Sequence, residues 1–157
     1  MNLDPSQGSG TVKSATFGKT DMPSLNPSRE QLAEFAERMP DNTPILMLNL
    51  LRFNAQAAYP EGSSHAPCSG QQAYAIYSKT ALGKVQGVGG NVELLAAAHV
   101  ALIAPADEHW DQMLLVRYPS KQAFLSMIND PAYQAATVHR TAALADSRLI
   151  GTTVVTP

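Results

Sequence analysis

HWDQMLLVRYPS, residues 109–120, alternates like a β-strand. One set of alternate residues is Trp110, Gln112, Leu114, Val116 and Tyr118, which reads as a core face. The other is His109, Asp111, Met113, Leu115 and Arg117. That second face mixes three ionisable groups with two apolar ones, which fits either a solvated surface or the wall of a cavity. The choice between these readings depends on what pairs with the strand.

The preceding stretch, GNVELLAAAHVALIA (90–104), follows glycines and runs into PADE, so it reads as the first strand of a hairpin. Its even residues from Val92 to Leu102 are all apolar and suit the core. Its odd residues include Asn91, Glu93 and His99. With the turn centred on Ala106, the numbers of paired residues sum to about 212. His99 then faces Met113 and lies diagonal to Asp111, and Arg117 faces Leu95 with Glu93 diagonal to it. The two mixed faces coincide in that register unless a bulge intervenes.

Working outward, SREQLAEFAERM (28–39) carries a capping box, Ser28 with Gln31, ahead of apolar residues at helical spacing. PILMLNLLRF (44–53) is a short apolar run and reads as a buried strand. Residues 54–70 form a loop long enough to be functional or mobile. Ser69 with Gln72 caps a helix over 70–87, which Gly87, Gly89 and Gly90 stop. Ser120 caps KQAFLSMI, and Asp130-Pro131 restarts the helix with Asp at N-cap and Pro at N1. Tyr133, Thr137, Arg140 and Leu144 then run down one side. RLIGTTVVT (148–156) reads as the last strand. Residues 1–27, rich in Gly, Ser, Thr and Pro, read as a flexible arm, and 28–157 as one domain. After the arm and first helix the order is strand, helix, strand, strand, helix, strand. That is the split βαββαβ unit of a ferredoxin-like α+β domain with an antiparallel sheet. Its helices cover one sheet face, so a second subunit is expected on the other.

The chain has 157 residues, 45% of them apolar, and a net charge of -2. A nucleic-acid footprint would need a basic patch, and the 11 Lys and Arg residues are scattered. No run approaches a membrane span. The N-terminus has no apolar signal-peptide core, and the lone Cys68 rules out an intrachain disulfide, so a cytoplasmic protein is expected. His65 and Cys68 lie close together, but no second cluster completes a zinc pattern. GVGG precedes a strand and not a helix, so it is no dinucleotide fingerprint. No cofactor or metal is implied.

An imidazole beside a carboxylate on a half-apolar surface supplies what proton transfer needs. His99 is therefore the candidate acid or base and Asp111 its orienting group. Arg117, always charged and forked, would hold an anionic oxygen. Asn49 is polar within an apolar strand and would point at a ligand if the sheet lines a cavity. Tyr77, Tyr133 and His109 complete the candidate substrate-binding set. Structural readings stand beside these. His99 also fits a histidine bonded to a carbonyl, and Asp111 and Arg117 fit surface ion pairs. Tyr133 and Arg140, two turns apart, fit helix bracing.

QQAYAIYSK, VGGNVELL and MLLVRYPSKQAFLSMINDPAYQAATVHR together resemble a bacterial family of uncharacterised domains in the dimeric α/β-barrel superfamily. The matching positions are Tyr74 and Tyr77, Gly89 and Gly90, Tyr118-Pro119-Ser120, Tyr133 and Arg140, within about residues 44–156. The family usually has an acidic residue just before the strand-ending aromatic, where this chain has Arg117. The resemblance implies a homodimer whose two sheets face each other as a barrel. The superfamily includes cofactor-free monooxygenases, muconolactone isomerase-like enzymes and, in larger relatives, heme enzymes. The expected function is a cofactor-independent isomerase or lyase acting by proton transfer on a small organic anion. The alternative is a non-catalytic small-molecule-binding or structural homodimer.

Overall fold

Alternation in ILMLNLLRF decides which side of the sheet is covered. These residues form β1 (Ile45–Phe53). Ile45, Met47, Asn49 and Leu51 are buried, and Leu46, Leu48 and Leu50 between them are only half-buried. The computed structural model describes residues 22–157. In these, α1 (Arg29–Arg38) precedes β1. After it come α2 (Gly70–Gly87), β2 (Asn91–Ala97), β3 (Gln112–Tyr118), α3 (Lys121–Ile128), α4 (Pro131–Ala143) and β4 (Leu144–Thr152). The strands form one antiparallel sheet in the order β2-β3-β1-β4. This is the ferredoxin-like α+β arrangement, with α3 and α4 together filling the place of its second helix. No helix among the described residues is long and apolar enough to cross a membrane.

The helices start where their caps dictate. Ser28 and Gln31 exchange hydrogen bonds of 3.1 and 2.9 Å, and Ser69 and Gln72 exchange bonds of 3.0 and 2.8 Å. Ser120 caps α3, and Asp130 caps α4 with Pro131 in its first turn. Asp130 also takes Lys84 Nζ at 3.0 Å, which ties α4 to α2. After α2, Gly89 adopts a φ of 83°, a left-handed turn that sends the chain back into β2. Lys121 is 8% exposed and donates to the carbonyls of Ala36 and Met39 at 2.5 and 2.7 Å. It thereby satisfies the C-terminal end of α1, a helix with no buried residue of its own.

Ile45, Leu51 and Leu144 are the largest fully buried side chains. Each stabilises the fold by roughly 2 kcal/mol relative to exposure. Leu51 and Leu144 pack with Ala73, Tyr74, Tyr77, Ala81, Ala136 and Ala143. Ile45 belongs to a second cluster with Met47, Val85, Val116, Tyr118, Phe124 and Met127.

The hairpin departs from the expected one. The predicted strand over 90–104 ends at Ala97, because β2 is the outermost strand and nothing beyond it buries the apolar residues that follow. Val100, Leu102 and Ile103 are 81%, 89% and 96% exposed in the connecting loop. The register also differs. Ala96, not His99, faces Met113, and Asn91, not Leu95, faces Arg117. A bulge at Glu93 flips the alternation, so that Val92 and Leu95 share the helix side and Leu94 turns to the open face. The final strand also starts earlier than expected, at Leu144 rather than near 148. Thr152 already lies opposite Leu46 and only Ile45 of β1 lies beyond it, so residues 154–156 have no β1 partner. Of the predicted arm, residues 1–21 lie outside the described residues. Residues 22–27 are held in place: Ser24 N–H donates to Asp146 at 2.9 Å, Ser147 Oγ donates to the Ser24 carbonyl, and Arg140 donates to the Leu25 carbonyl.

Gly70 sits where the base of loop 54–69, the start of α2 and the end of α4 converge. A β-carbon there would fall 2.2 Å from the Asn54 carbonyl oxygen and 2.5 Å from that of Ala143. Gly70→Ala is expected to lower stability by about 3 kcal/mol, measured by urea denaturation against wild type.

Candidate functional site

The two apolar clusters share one residue, Tyr133. Between them, on the helix side of the sheet, lies a cavity of about 1060 Å³. Asn49 sits in its floor, on β1 between Met47 of one cluster and Leu51 of the other. Its Nδ2 has only two long hydrogen bonds, 3.4 Å each, to the carbonyls of Met47 and Leu114. These bonds lie beyond the usual N–H···O range, so the amide is weakly satisfied for a buried group. Ser147 lies beside it on β4, opposite Leu51, and is 3% exposed.

The opposite wall is a row of phenols and one guanidinium. Tyr74 and Tyr77 share a side of α2 because they are three residues apart, and Tyr133 and Arg140 share a side of α4 at two turns. Tyr77 and Tyr133 hydroxyls bond at 2.7 Å, and the Tyr74 and Tyr77 rings stand 5.3 Å apart. Arg140 lies beside Tyr74, reaches Ser147 Oγ at 3.5 Å and holds the Leu25 carbonyl. Leu25 covers this end, and Phe35 of α1 covers the other, beside Phe124. Burial raises the Tyr74 phenol to about 12, opposed in part by Arg140. Burial and the neighbouring Tyr133 push Tyr77 further up, and burial does the same to Tyr118.

The cavity brings together three of the residues singled out in the sequence, Asn49, Tyr77 and Tyr133. It does not include His99, Asp111, Arg117 or His109. His99 and His109 are exposed in the loop between β2 and β3. No hydrogen bond among the described residues joins His99 to Asp111. The Asp111 carboxylate instead accepts the Phe53 N–H at 2.7 Å, and its backbone N–H donates to Leu51, so it fastens the loop to β1. Arg117 pairs with Glu93 at 2.6 Å on the open side of the sheet, and that pairing draws the Glu93 carboxyl below its usual range. Sequence reasoning assigned Arg140 to bracing and did not single out Ser147. The face of α4 was readable, but the strand opposite it depends on the register of β4. Among the described residues, no Asp, Glu or His lines the cavity.

A separate polar cluster holds loop 54–69 against α4. Tyr59 Oη and His139 Nδ1 bond at 2.6 Å, and the His65 ring lies 4.7 Å from both the Tyr59 and His139 rings. Burial and His65 lower the His139 pKa. Among the described residues there is no group of three or more His, Cys, Asp or Glu arranged to hold a metal ion.

Two crystal structures of the RPA0582 protein, from Rhodopseudomonas palustris, align with this chain at a TM-score of 0.79 each. They are 39% and 38% identical to it and cover 86% and 87% of it, and 97% and 100% of their own length. This chain belongs to the RPA0582 family. The Rhodopseudomonas member is described as a protein of unknown function. A dimeric ferredoxin-like protein of unknown function from Thermobifida fusca is also similar, at 18% identity and a TM-score of 0.43 over 72% of this chain and 92% of its own. No family model and no curated protein matches.

The buried phenols set an alkaline limit on stability. Below the ordinary value of 10.0 all three are protonated in folded and unfolded chains alike, and their contribution is fully present. Above it the unfolded chain ionises first. Each group then removes about 1.4 kcal/mol per pH unit, which for Tyr74 continues to about 12. Tyrosinate absorbance is expected to rise in a late step that coincides with loss of near-ultraviolet circular dichroism. Replacement of Tyr77 by Phe should shrink that step.

Proposed function

We propose that this chain is a homodimeric small-molecule-binding protein whose ligand occupies the cavity between sheet and helices. The observation that carries the reading is the divided core. Two apolar clusters share Tyr133 as a residue packed against both, and the space between them is floored by a weakly bonded Asn49 and walled by buried phenols. A structural core would fill such a gap with apolar side chains, because empty volume costs stability. Concave, mostly apolar space with a few convergent polar groups is the usual form of a ligand site.

Binding is favoured over proton-transfer catalysis. Among the described residues the cavity lining contains no imidazole and no carboxylate, and burial holds Tyr74 and Tyr77 protonated at neutral pH. A general base poised near neutrality is therefore missing from it. His99 and Asp111 lie outside it.

The homodimer reading rests on the open face of the sheet. Leu46, Leu48 and Leu50 share that face with Met113 and Leu115, and Leu94 and Ile150 on it are 46% and 47% exposed. This mostly apolar surface, which also carries Arg117 paired with Glu93, marks an interaction site, and a second copy presents the same surface in return.

Two measurements test the reading. Nile red, a neutral dye that brightens in apolar surroundings, is expected to bind wild type. Ala81→Phe, which adds a ring to the cavity wall, should abolish the signal while leaving the far-ultraviolet circular dichroism intact. An undiminished signal in that variant would refute the cavity reading. In sedimentation equilibrium, Leu48→Glu on the open face should weaken the dimer by at least about a hundredfold, because an unpaired carboxylate would be buried against the partner.

A further inference from the structure

We infer that the cavity takes a small organic monocarboxylate, with its anionic head on Arg140 and its apolar body lying toward Val116, Phe124 and Met127. This rests on the cavity being a ligand site and adds the chemical class of its occupant. The first ground is charge. Among the described residues three cations line the space, Lys79, Arg140 and Arg148, and no carboxylate does. Arg148 is already paired with Asp146 at 2.9 Å and lies over the Trp110 ring, and Lys79 is exposed. Arg140 is part-buried, and its hydrogen-bond acceptors among the described residues are neutral: the Leu25 carbonyl and, at 3.5 Å, the Ser147 hydroxyl. A guanidinium drawn out of water onto neutral partners lacks the Coulombic compensation that an anion supplies.

The second ground is the count of donors. Tyr77 and Tyr133 own two hydroxyl protons and spend one on their mutual bond. The other is left to give. Arg140 has five N–H donors, while both N–H groups of Asn49 Nδ2 already have acceptors, if long ones. Donors with no matching acceptors suit a ligand group that only accepts, and an ionised carboxylate is such a group. Its two coplanar oxygens also match the guanidinium fork. The third ground is the remaining lining. Val116, Phe124 and Met127 are apolar and buried, which suits a hydrocarbon or aryl body and opposes a second charge such as that of a phosphate dianion. The Leu25 carbonyl, already bonded to Arg140, shows that an oxygen acceptor is accommodated at this guanidinium.

The test compares charged and neutral ligands of matched shape. Hexanoate and 4-phenylbutyrate, and the primary amides hexanamide and 4-phenylbutanamide, are titrated into the full-length protein by calorimetry, with Nile red displacement in parallel. Each carboxylate should bind at least about tenfold more tightly than its amide. Arg140→Gln should erase that difference, and Arg140→Lys, which keeps the charge but not the fork, should retain part of it. The wild-type comparison decides the matter even if Arg140→Gln fails to fold. Nile red binding with no acid–amide difference overturns the carboxylate inference and leaves the cavity reading standing. Absence of binding by Nile red and by all four compounds overturns both.

Discussion

The weakly satisfied amide of Asn49 is the constraint around which the rest of this structure is arranged. Every other inward side chain of β1 from Ile45 to Leu51 is apolar, and a polar one in their midst keeps the two halves of the core from closing over it. Burying an amide without good partners costs roughly 1–3 kcal/mol. The fold offsets this with two separate clusters, each well packed. Tyr133 reaches both, and its hydroxyl meets Tyr77 across the gap. The helix layer is thus held against the sheet at two ends with an open middle.

The same economy governs the lid. α1 buries none of its residues fully, so its core contacts, through Phe35 and the capping Met39, are partial. Ions and backbone groups add to them. Lys121 satisfies its C-terminal carbonyls, and the segment before it is fastened by Asp146, Ser147 and Arg140. Phe35 adds an aromatic contact to Phe124, with ring centroids 5.2 Å apart. A covering element built on hydrogen bonds opens more cheaply than one built on buried area. Arg140 belongs to both the lid and the cavity wall, so the state of one bears on the other.

Much of the architecture was legible because it depends on local chemistry. The capping residues Ser28, Ser69, Ser120 and Asp130 start the helices that the sequence predicts, and the alternation of β1 identifies its buried face. What was not legible depends on pairing. The apolar run after Ala97 reads as strand because sequence pattern cannot say that β2 lies at the sheet edge. A register three residues off the expected one, set by where the loop closes, moves His99 away from Asp111 and removes the arrangement that the sequence reading favoured. Asn49, Tyr77 and Tyr133 come together because each follows from a regular period on its own element. Arg140 follows the same period, but the groups it meets, Leu25 and Ser147, are 115 and 7 residues away in the chain and answer only to the tertiary fold.

The junction between α4 and β4 has no connecting loop: Ala143 ends the helix and Leu144 begins the strand. Arg140 and Ser147 meet across it. Chain length at this point is therefore as much a part of the cavity as the side chains are. One inserted residue would turn Arg140 by roughly 100° about the helix axis relative to the strand, or else slip β4 so that Ser147 faces the opposite side of the sheet. Insertions and deletions elsewhere, such as in the long loops after β1 and β2, leave that geometry untouched. Lineages of this fold that keep the cavity should accordingly vary in the length of those loops while holding the number of residues from Arg140 to Ser147 constant.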